Sequence, residues 1–335
     1  MSSLFRVNLG SPGTNSNHLC PLSGRSDHYT VQSNGSSRRY ASPLRYPGGK
    51  GKIANFLKIL IIQNDLSGVR YVEPYAGGAS IALSLLFEGY VSQVHINDLN
   101  RGLHAFWNSV LTCPDRLCAK ITSAPLSMEE WEKQRNIYLD PDTEGIDLAF
   151  STFYLNRTNR SGIISGGVIG GNEQTGQWKI DARFNRESLV ARVNKIAERA
   201  PDITLSMLDA IDLIKKEKQT RQGGLLYLDP PYYFKGARLY DNFYTHEDHV
   251  KVSHEIQIHP GPWVVSYDAV PEIMQLYEQC NSTQYFLNYS AAKADKGMEV
   301  MFFSKDLSRP DVPSPAGITL EDVRRMRRRL MSESG

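Results

Sequence analysis

The stretch YLDPPYY, residues 227–233, holds the residue types that chemistry at a flat amine needs. Asp229 offers a carboxylate. Pro230 offers a backbone carbonyl held still by ring-locked φ angles. Pro230 and Pro231 carry no N–H, so two donors that would compete for those acceptors are missing. Tyr232 offers an aromatic face; stacking on a base is worth about 1–3 kcal/mol in nucleic-acid sites. An exocyclic amine on a planar base is a poor nucleophile, because its lone pair is delocalised into the ring. Two acceptors aimed at its two N–H bonds draw the nitrogen toward a tetrahedral shape and localise that pair. Such a site works by preorganised electrostatics, without a covalent nucleophile. Taken alone, Asp-Pro-Pro is also an ordinary strand-ending turn.

A second signal lies upstream, in EPYAGGAS (73–80). The pair Gly77-Gly78 separates a strand-like run from a helix-like one, where backbone can approach a ligand closely. The spacing is not G-x-G-x-x-G. Nor is YPGGKGKI (46–53) a phosphate-binding P-loop, since Tyr46 stands where Gly is needed and no Ser or Thr follows the lysine. Asp98 ends the next apolar run and can accept from a ribose diol. A ribose-bearing cofactor is the favoured reading, a purely structural turn the alternative. No metal is expected. His254 and His259 are five residues apart, which sets them about 140° apart on a helix. Cys20, Cys113, Cys118 and Cys280 are scattered and read as free thiols of a reducing cytoplasm.

These groups need a scaffold that ends strands beside one another. Residues 53–62 are patterned as a helix, 69–73 as a strand, and SIALSLLFEG as a helix capped by Ser80 and stopped by Gly89. A strand ending at Asn97-Asp98 and another helix follow. That is two turns of a Rossmann-like winding, in which ligands gather at the carboxyl ends of strands. Residues 113–150 read as polar helices, with a Ser cap before MEEWEKQRNIYL. The stretch from 153 to 185 reads as loop with a hairpin. Strands resume in DITLSMLDA, GGLLYLDPPYY and PWVVSYDAV, and STQYFLNYS with MEVMFFSK predicts an antiparallel edge pair.

The chain has 335 residues and a formal net charge of +2, so any basic surface is local. Such a surface stands between 157 and 199, with eight Lys or Arg against Glu173, Asp181, Glu187 and Glu198. No transmembrane run and no secretory signal are visible.

Together the motifs resemble the Dam-like, D12 class of DNA adenine methylases, over about residues 41 to 305. RYPGGK (45–50), VEPYAGGAS (72–80), INDLN (96–100), FYLNRTNRSGI…ARFN (153–185), DPPYY (229–233) and YTHEDHVKVS (244–253) occur in that family's order. The resemblance implies an α/β fold: a Rossmann-like S-adenosylmethionine-dependent methyltransferase sheet with an inserted, mainly helical and loop-rich target-recognition domain. With it go a core in two parts (41–112 and 201–305) and the insertion (113–200). By composition residues 1–40, rich in Ser, Asn and Gly, read as a flexible extension, and 306–335 as a flexible basic tail in which EDVRRMRRRLMSESG is a helical stub. S-adenosylmethionine would be held by Tyr46, Lys50, Glu73, Pro74, Tyr75, Ala76, Gly77, Gly78, Asp98 and Asp209, with Asp229 beside it. Asp229, Pro230, Pro231 and Tyr232 would hold a target adenine flipped from double-stranded DNA. Asn156, Arg157, Asn159, Arg160, Arg183 and Arg186 would touch DNA. A restriction enzyme or defence-system partner, and a monomer or dimer, remain open. So do N4-cytosine methylation, methylation of RNA or of a protein amide, and a catalytically idle DNA-binding relative.

Overall fold

A computed structural model describes residues 42–45, 53–220, 223–233, 244–288 and 296–333. The proposed extension 1–40 lies outside the described residues. Helix α1 (Ala54–Gln63) leads into β1 (Arg70–Glu73), α2 (Ser80–Phe87), β2 (Gln93–Asn97) and α3 (Arg101–Thr112). Next come α4 (Pro114–Ser123), α5 (Met128–Leu139), α6 (Gly145–Thr158) and α7 (Arg186–Ala197). The sheet resumes with β3 (Ile203–Ser206), α8 (Ala210–Lys218), β4 (Gly224–Leu228), α9 (His246–Gln257) and β5 (Trp263–Asp268). Helix α10 (Pro271–Leu276), β6 (Asn281–Asn288), β7 (Lys296–Phe303) and α11 (Leu320–Glu333) complete the described chain.

The seven strands lie in the order β3-β2-β1-β4-β5-β7-β6. Strands β1 to β5 pair in parallel, and β7 runs antiparallel to both β5 and β6. This is the Rossmann-like α/β sheet, with the antiparallel pair at one edge. All five residues of β4 are buried, as a strand covered on both faces requires. Alternate residues feed two cores. Tyr71, Leu225, Tyr227 and Val264 face α1 and α2; Val72, Leu226, Leu228 and Val265 face α8 and α9. The strand order reverses between β1 and β4, so the ligand crevice lies beyond their carboxyl ends.

Two local expectations need correction. Helix α2 is capped by Ala79, not Ser80; Ala79 sits at φ 47° after Gly77 at φ 48°, so the turn closes through left-handed backbone rather than a hydroxyl. The residues FYLNRT, expected in a loop, continue α6, because nearly every side chain from Leu148 to Thr158 is buried. The basic stretch expected as a helical stub is helical. Residues 320–333 form α11, with Val323 buried and Ile318 just before it accepting from the Asn55 amide of α1.

The Ser127 cap of α5 is present, its hydroxyl accepting from the Glu130 N–H at 3.2 Å. Residues 113–200 share the main core instead of building their own: Phe153 of α6 stacks on Phe106 of α3 with centroids 5.7 Å apart.

Candidate active site

Strand β4 ends at Leu228, and Asp229 is the first residue beyond it. Its Oδ1 accepts from Ser266 Oγ at 3.0 Å, and Ser266 Oγ lies 2.8 Å from the Tyr227 hydroxyl. Ser266 has one hydroxyl proton and gives it to the carboxylate, so Tyr227 must donate to Ser266. Both are buried. The turn that follows is fastened strand by strand. The Tyr232 hydroxyl donates to Glu299 Oε1 of β7 at 2.8 Å, and the Tyr233 N–H donates to Asp268 Oδ1 of β5 at 3.1 Å. Asp268 and Glu299 are register partners. Pro230 is buried and Pro231 half-buried. Tyr232, expected to stack on a base, is buried, with 6% of its surface exposed.

The glycine turn is held just as firmly. The Ala76 N–H donates to the Asn97 carbonyl at 2.9 Å, the Gly77 N–H to Asp98 Oδ2 at 2.8 Å, and Trp107 Nε1 to the Gly77 carbonyl at 3.0 Å. Asp98 Oδ1 accepts from the Asn100 N–H at 2.9 Å. Burial pushes the Asp98 carboxyl up and the two backbone donors pull against it. Glu73 is 3% exposed. Its Oε1 accepts from the Tyr71 hydroxyl at 3.1 Å, while Oε2 is buried without a hydrogen-bond partner. Burial lifts this carboxyl to about 8; the Tyr71 bond works against the rise and the nearby Asp229 charge adds to it.

The Tyr75 hydroxyl lies 3.0 Å from that of Tyr244, a residue that feels the charges of both Asp209 and Asp98. Asp209 caps α8, its Oδ1 accepting from the Ile211 N–H at 2.8 Å, and lines a cleft of about 480 Å³ between α8 and α9. Helix α9 starts at a capping box formed by Thr245 and Asp248. Glu73, the Tyr75–Gly77 turn, Asp98 and Asp229 thus share one mouth of the sheet. Tyr46 and Lys50 lie outside the described residues.

Four positioning residues escaped the sequence reading: Asn97, Ser266, Asp268 and Glu299. The available signal was a polar side chain inside an otherwise apolar strand, as in VVSYD and MEVMFF.

Comparison with known proteins decides the family. The pattern of D12 class N6 adenine-specific DNA methyltransferases matches residues 46–292, roughly three quarters of the 335 residues. The chain belongs to the D12 class of N6 adenine-specific DNA methyltransferases. A relative, the type II methyltransferase M.MjaIII of Methanocaldococcus jannaschii, is 24% identical over 204 residues, covering 56% of this chain and 68% of the relative. Among solved structures, the rRNA methyltransferase aviRa from Streptomyces viridochromogenes superposes with a TM-score of 0.36 at 14% identity, over 84% of this chain and 96% of that one.

This D12 methyltransferase acts on adenine in DNA, and its family implies S-adenosylmethionine as methyl donor. No helix among its described residues is long and apolar enough to cross a membrane.

The side chains expected to meet DNA divide into two groups. Asn156 is 1% exposed; its Oδ1 accepts from the Arg45 N–H at 2.7 Å and its Nδ2 donates to the Arg45 and Gly162 carbonyls. Asn159 is fully buried, accepting from Trp131 Nε1 at 2.7 Å and donating to the Ile163 and Ile164 carbonyls. Arg186 donates to the Thr122 and Ala124 carbonyls at the end of α4. Asn156 and Asn159 are thus buried and committed to partners within the chain, whereas Arg186 is half-buried and spends its donors on the end of α4. Arg157 is half-buried and ties the Arg183 and Pro43 carbonyls together; burial, with Arg45, Arg192 and Arg183 close by, lowers its pKa to about 9. Arg160 and Arg183 are exposed. Arg183 lies over the ring of Trp178, which is 61% exposed.

Proposed function

We propose that the mouth of β1, β2 and β4 holds S-adenosylmethionine beside a flipped adenine, and that Asp229 activates the adenine N6. The directed chain from Tyr227 through Ser266 to Asp229 Oδ1 carries this reading. It fixes a carboxylate at a strand end, next to the donor-free Pro230-Pro231 pair.

The residues suit the cofactor. Its sulfonium and ammonium are cationic, and the crevice offers Glu73, whose buried Oε2 lacks a partner, together with Asp98. When bound, S-adenosylmethionine supplies an electrophilic methyl group. Asp98 takes the ribose diol: each of its oxygens accepts a single backbone N–H, which leaves lone pairs for hydroxyls. Pro74, Tyr75, Ala76, Gly77 and Gly78 wrap the methionyl end with Tyr46 and Lys50, and Asp209 stands toward the adenine ring. At the target, Asp229 and the Pro230 carbonyl accept the two N6 hydrogens, and the Asp229 carboxylate receives the proton shed late in transfer. Tyr232 packs against the base.

A carboxyl with a pKa of about 8 is mostly protonated at pH 7. A cation beside it favours the ion. Binding of S-adenosylmethionine at pH 7 therefore releases about one proton, and the release fades as pH rises past 8. Calorimetry in buffers of different ionisation enthalpy reads it directly. Buffer-independent heats, or an unchanged release in Glu73→Gln, count against the assignment.

The insertion reads the duplex through Arg160, Arg183 and the exposed Trp178. Arg160→Ala and Arg183→Ala each reduce the slope of log K against log salt by about 1 if they touch phosphate. Slopes equal to wild type remove them from the interface. On the strength of the type II name of the archaeal relative, the chain also works beside a restriction enzyme that reads the same site. Methylated plasmid that resists no endonuclease from the same cell would speak against that pairing.

A further inference from the structure

We propose that His95 and Ser206 are positioning residues for methyl transfer, links in a one-way hydrogen-bond chain that runs from Arg70 through the sheet to the loops bearing Tyr75, Asp98 and Asp209. The inference rests on the assignment of those loops to the cofactor.

Strand register puts the members on one face. Val72 pairs with His95, and Asn97 with Ser206. Side chains alternate along a strand, so Arg70, His95, Asn97 and Ser206 all point toward the α8 side. Arg70 grips Glu217 of α8 with both guanidinium nitrogens, at 2.5 and 3.0 Å, and its Nη2 also lies 2.8 Å from His95 Nδ1. Glu217 and His95 are buried.

Direction follows from what each group can do. Two groups face His95 Nδ1: the Arg70 guanidinium, a pure donor at 2.8 Å, and Glu217 Oε1, a pure acceptor at 3.3 Å. The far end of the chain decides: Ser206 spends its only proton on Asn97 Oδ1, so Nε2 must carry the ring proton and Nδ1 of the neutral ring accepts from the nearer Arg70. Nε2 lies 2.8 Å from Ser206 Oγ and donates to it. Ser206 passes its own proton to Asn97 Oδ1 at 2.7 Å. That oxygen also accepts from the Leu208 N–H at 2.8 Å, which fixes the orientation of the amide. Asn97 Nδ2 then gives its two hydrogens to the Pro74 and Leu208 carbonyls, both at 2.9 Å.

The far end of this chain matters most. Pro74 immediately precedes Tyr75, Asn97 precedes Asp98, and Leu208 precedes Asp209. One amide therefore stands directly behind three loops of the proposed cofactor site. Arg70 begins β1 three residues before Glu73, about 10 Å back along the strand. Reversal of any link turns the amide or leaves a buried polar atom unpaired, and the loops lose their common anchor.

Affinity for S-adenosylmethionine, kcat at saturating cofactor and Tm are measured for Ser206→Ala, Ser206→Thr, Arg70→Met and the Ser206→Ala/Arg70→Met double variant, with Asp98→Ala as control. Ser206→Ala is expected to weaken cofactor binding about 5- to 10-fold, the scale of one hydrogen bond at this half-buried position, with kcat within about twofold. Ser206→Thr restores affinity. The double variant falls short of the product of the single effects, because both cut the same chain. Unchanged affinity in Ser206→Ala, or full multiplication in the double variant, overturns the relay if Asp98→Ala still weakens binding. Should Asp98→Ala bind normally, the cofactor assignment itself fails and takes the relay with it. Nitrogen NMR of the unmodified protein gives a check independent of any variant: a proton on His95 Nδ1 instead of Nε2 overturns the chain's direction.

Discussion

Asp229→Ala is expected to lower methyl transfer by at least about 10²- to 10³-fold while cofactor affinity and fold are retained. The size is that seen when a preorganised polar group aimed at a reacting centre is removed. The carboxylate is anchored from one side by Ser266 and presented from the end of a fully buried strand. Its loss removes one of two acceptors for the amine and the group that receives its proton. The fold barely depends on it, because the β4 ladder to β1 and β5 and the Tyr232–Glu299 and Tyr233–Asp268 bonds remain. Asp229→Asn keeps an acceptor oxygen but brings an NH2 group to the same slot, so it should also be slow. Ser266→Ala leaves the carboxylate in place without the Ser266 bond and should cost less than Asp229→Ala. Radiolabelled methyl transfer to DNA, with cofactor binding measured in parallel, checks all three. Near-normal turnover by Asp229→Ala would remove Asp229 from the chemistry and leave the Pro230 carbonyl as sole candidate.

How much of this was visible beforehand differs by element. Strands β1, β2, β4 and β5 announce themselves as short apolar runs that stop at polar or proline residues, and the motif order points to the family. The α2 cap is not legible in the sequence, because Ala79 carries no side-chain signal for its left-handed backbone and only the preceding Gly77-Gly78 pair hints at it. The end of α6 was misread because Asn and Arg look like loop residues, while tertiary burial overrides their weak helix propensity. Long-range partners were out of reach altogether. Ser266 meets Asp229 across 37 residues, Glu299 meets Tyr232 across 67, and Asn97 meets Leu208 across 111. Spacing within one motif carries no information about which neighbouring strand supplies such a group.

Asn159 shows where residue type alone misleads, and it carries the second large effect. A sequence such as LNRTNRSG places Asn and Arg where base edges could be read, but the segment from 159 to 185 has a single β-bridge, between Asn159 and Val168. Its buried carbonyls must find donors elsewhere. The Asn159 amide supplies two, to Ile163 and Ile164, and takes up the Trp131 indole N–H with its oxygen. Asn159→Ala strands the buried Trp131 indole N–H and removes the side-chain partner of the half-buried Ile164 carbonyl, while the Ile163 carbonyl keeps the Gly166 N–H. A destabilisation of about 2–4 kcal/mol is expected, within the range for breaking a buried hydrogen-bond network. Arg160→Ala, one residue on at an exposed position, should shift stability by no more than about 0.5 kcal/mol and act on DNA affinity instead. Urea unfolding and salt-dependent DNA binding, run on both variants, separate the two roles. If Asn159→Ala proves as stable as wild type yet loses site choice, then the amide reads a base after all, and the loop must open to let it.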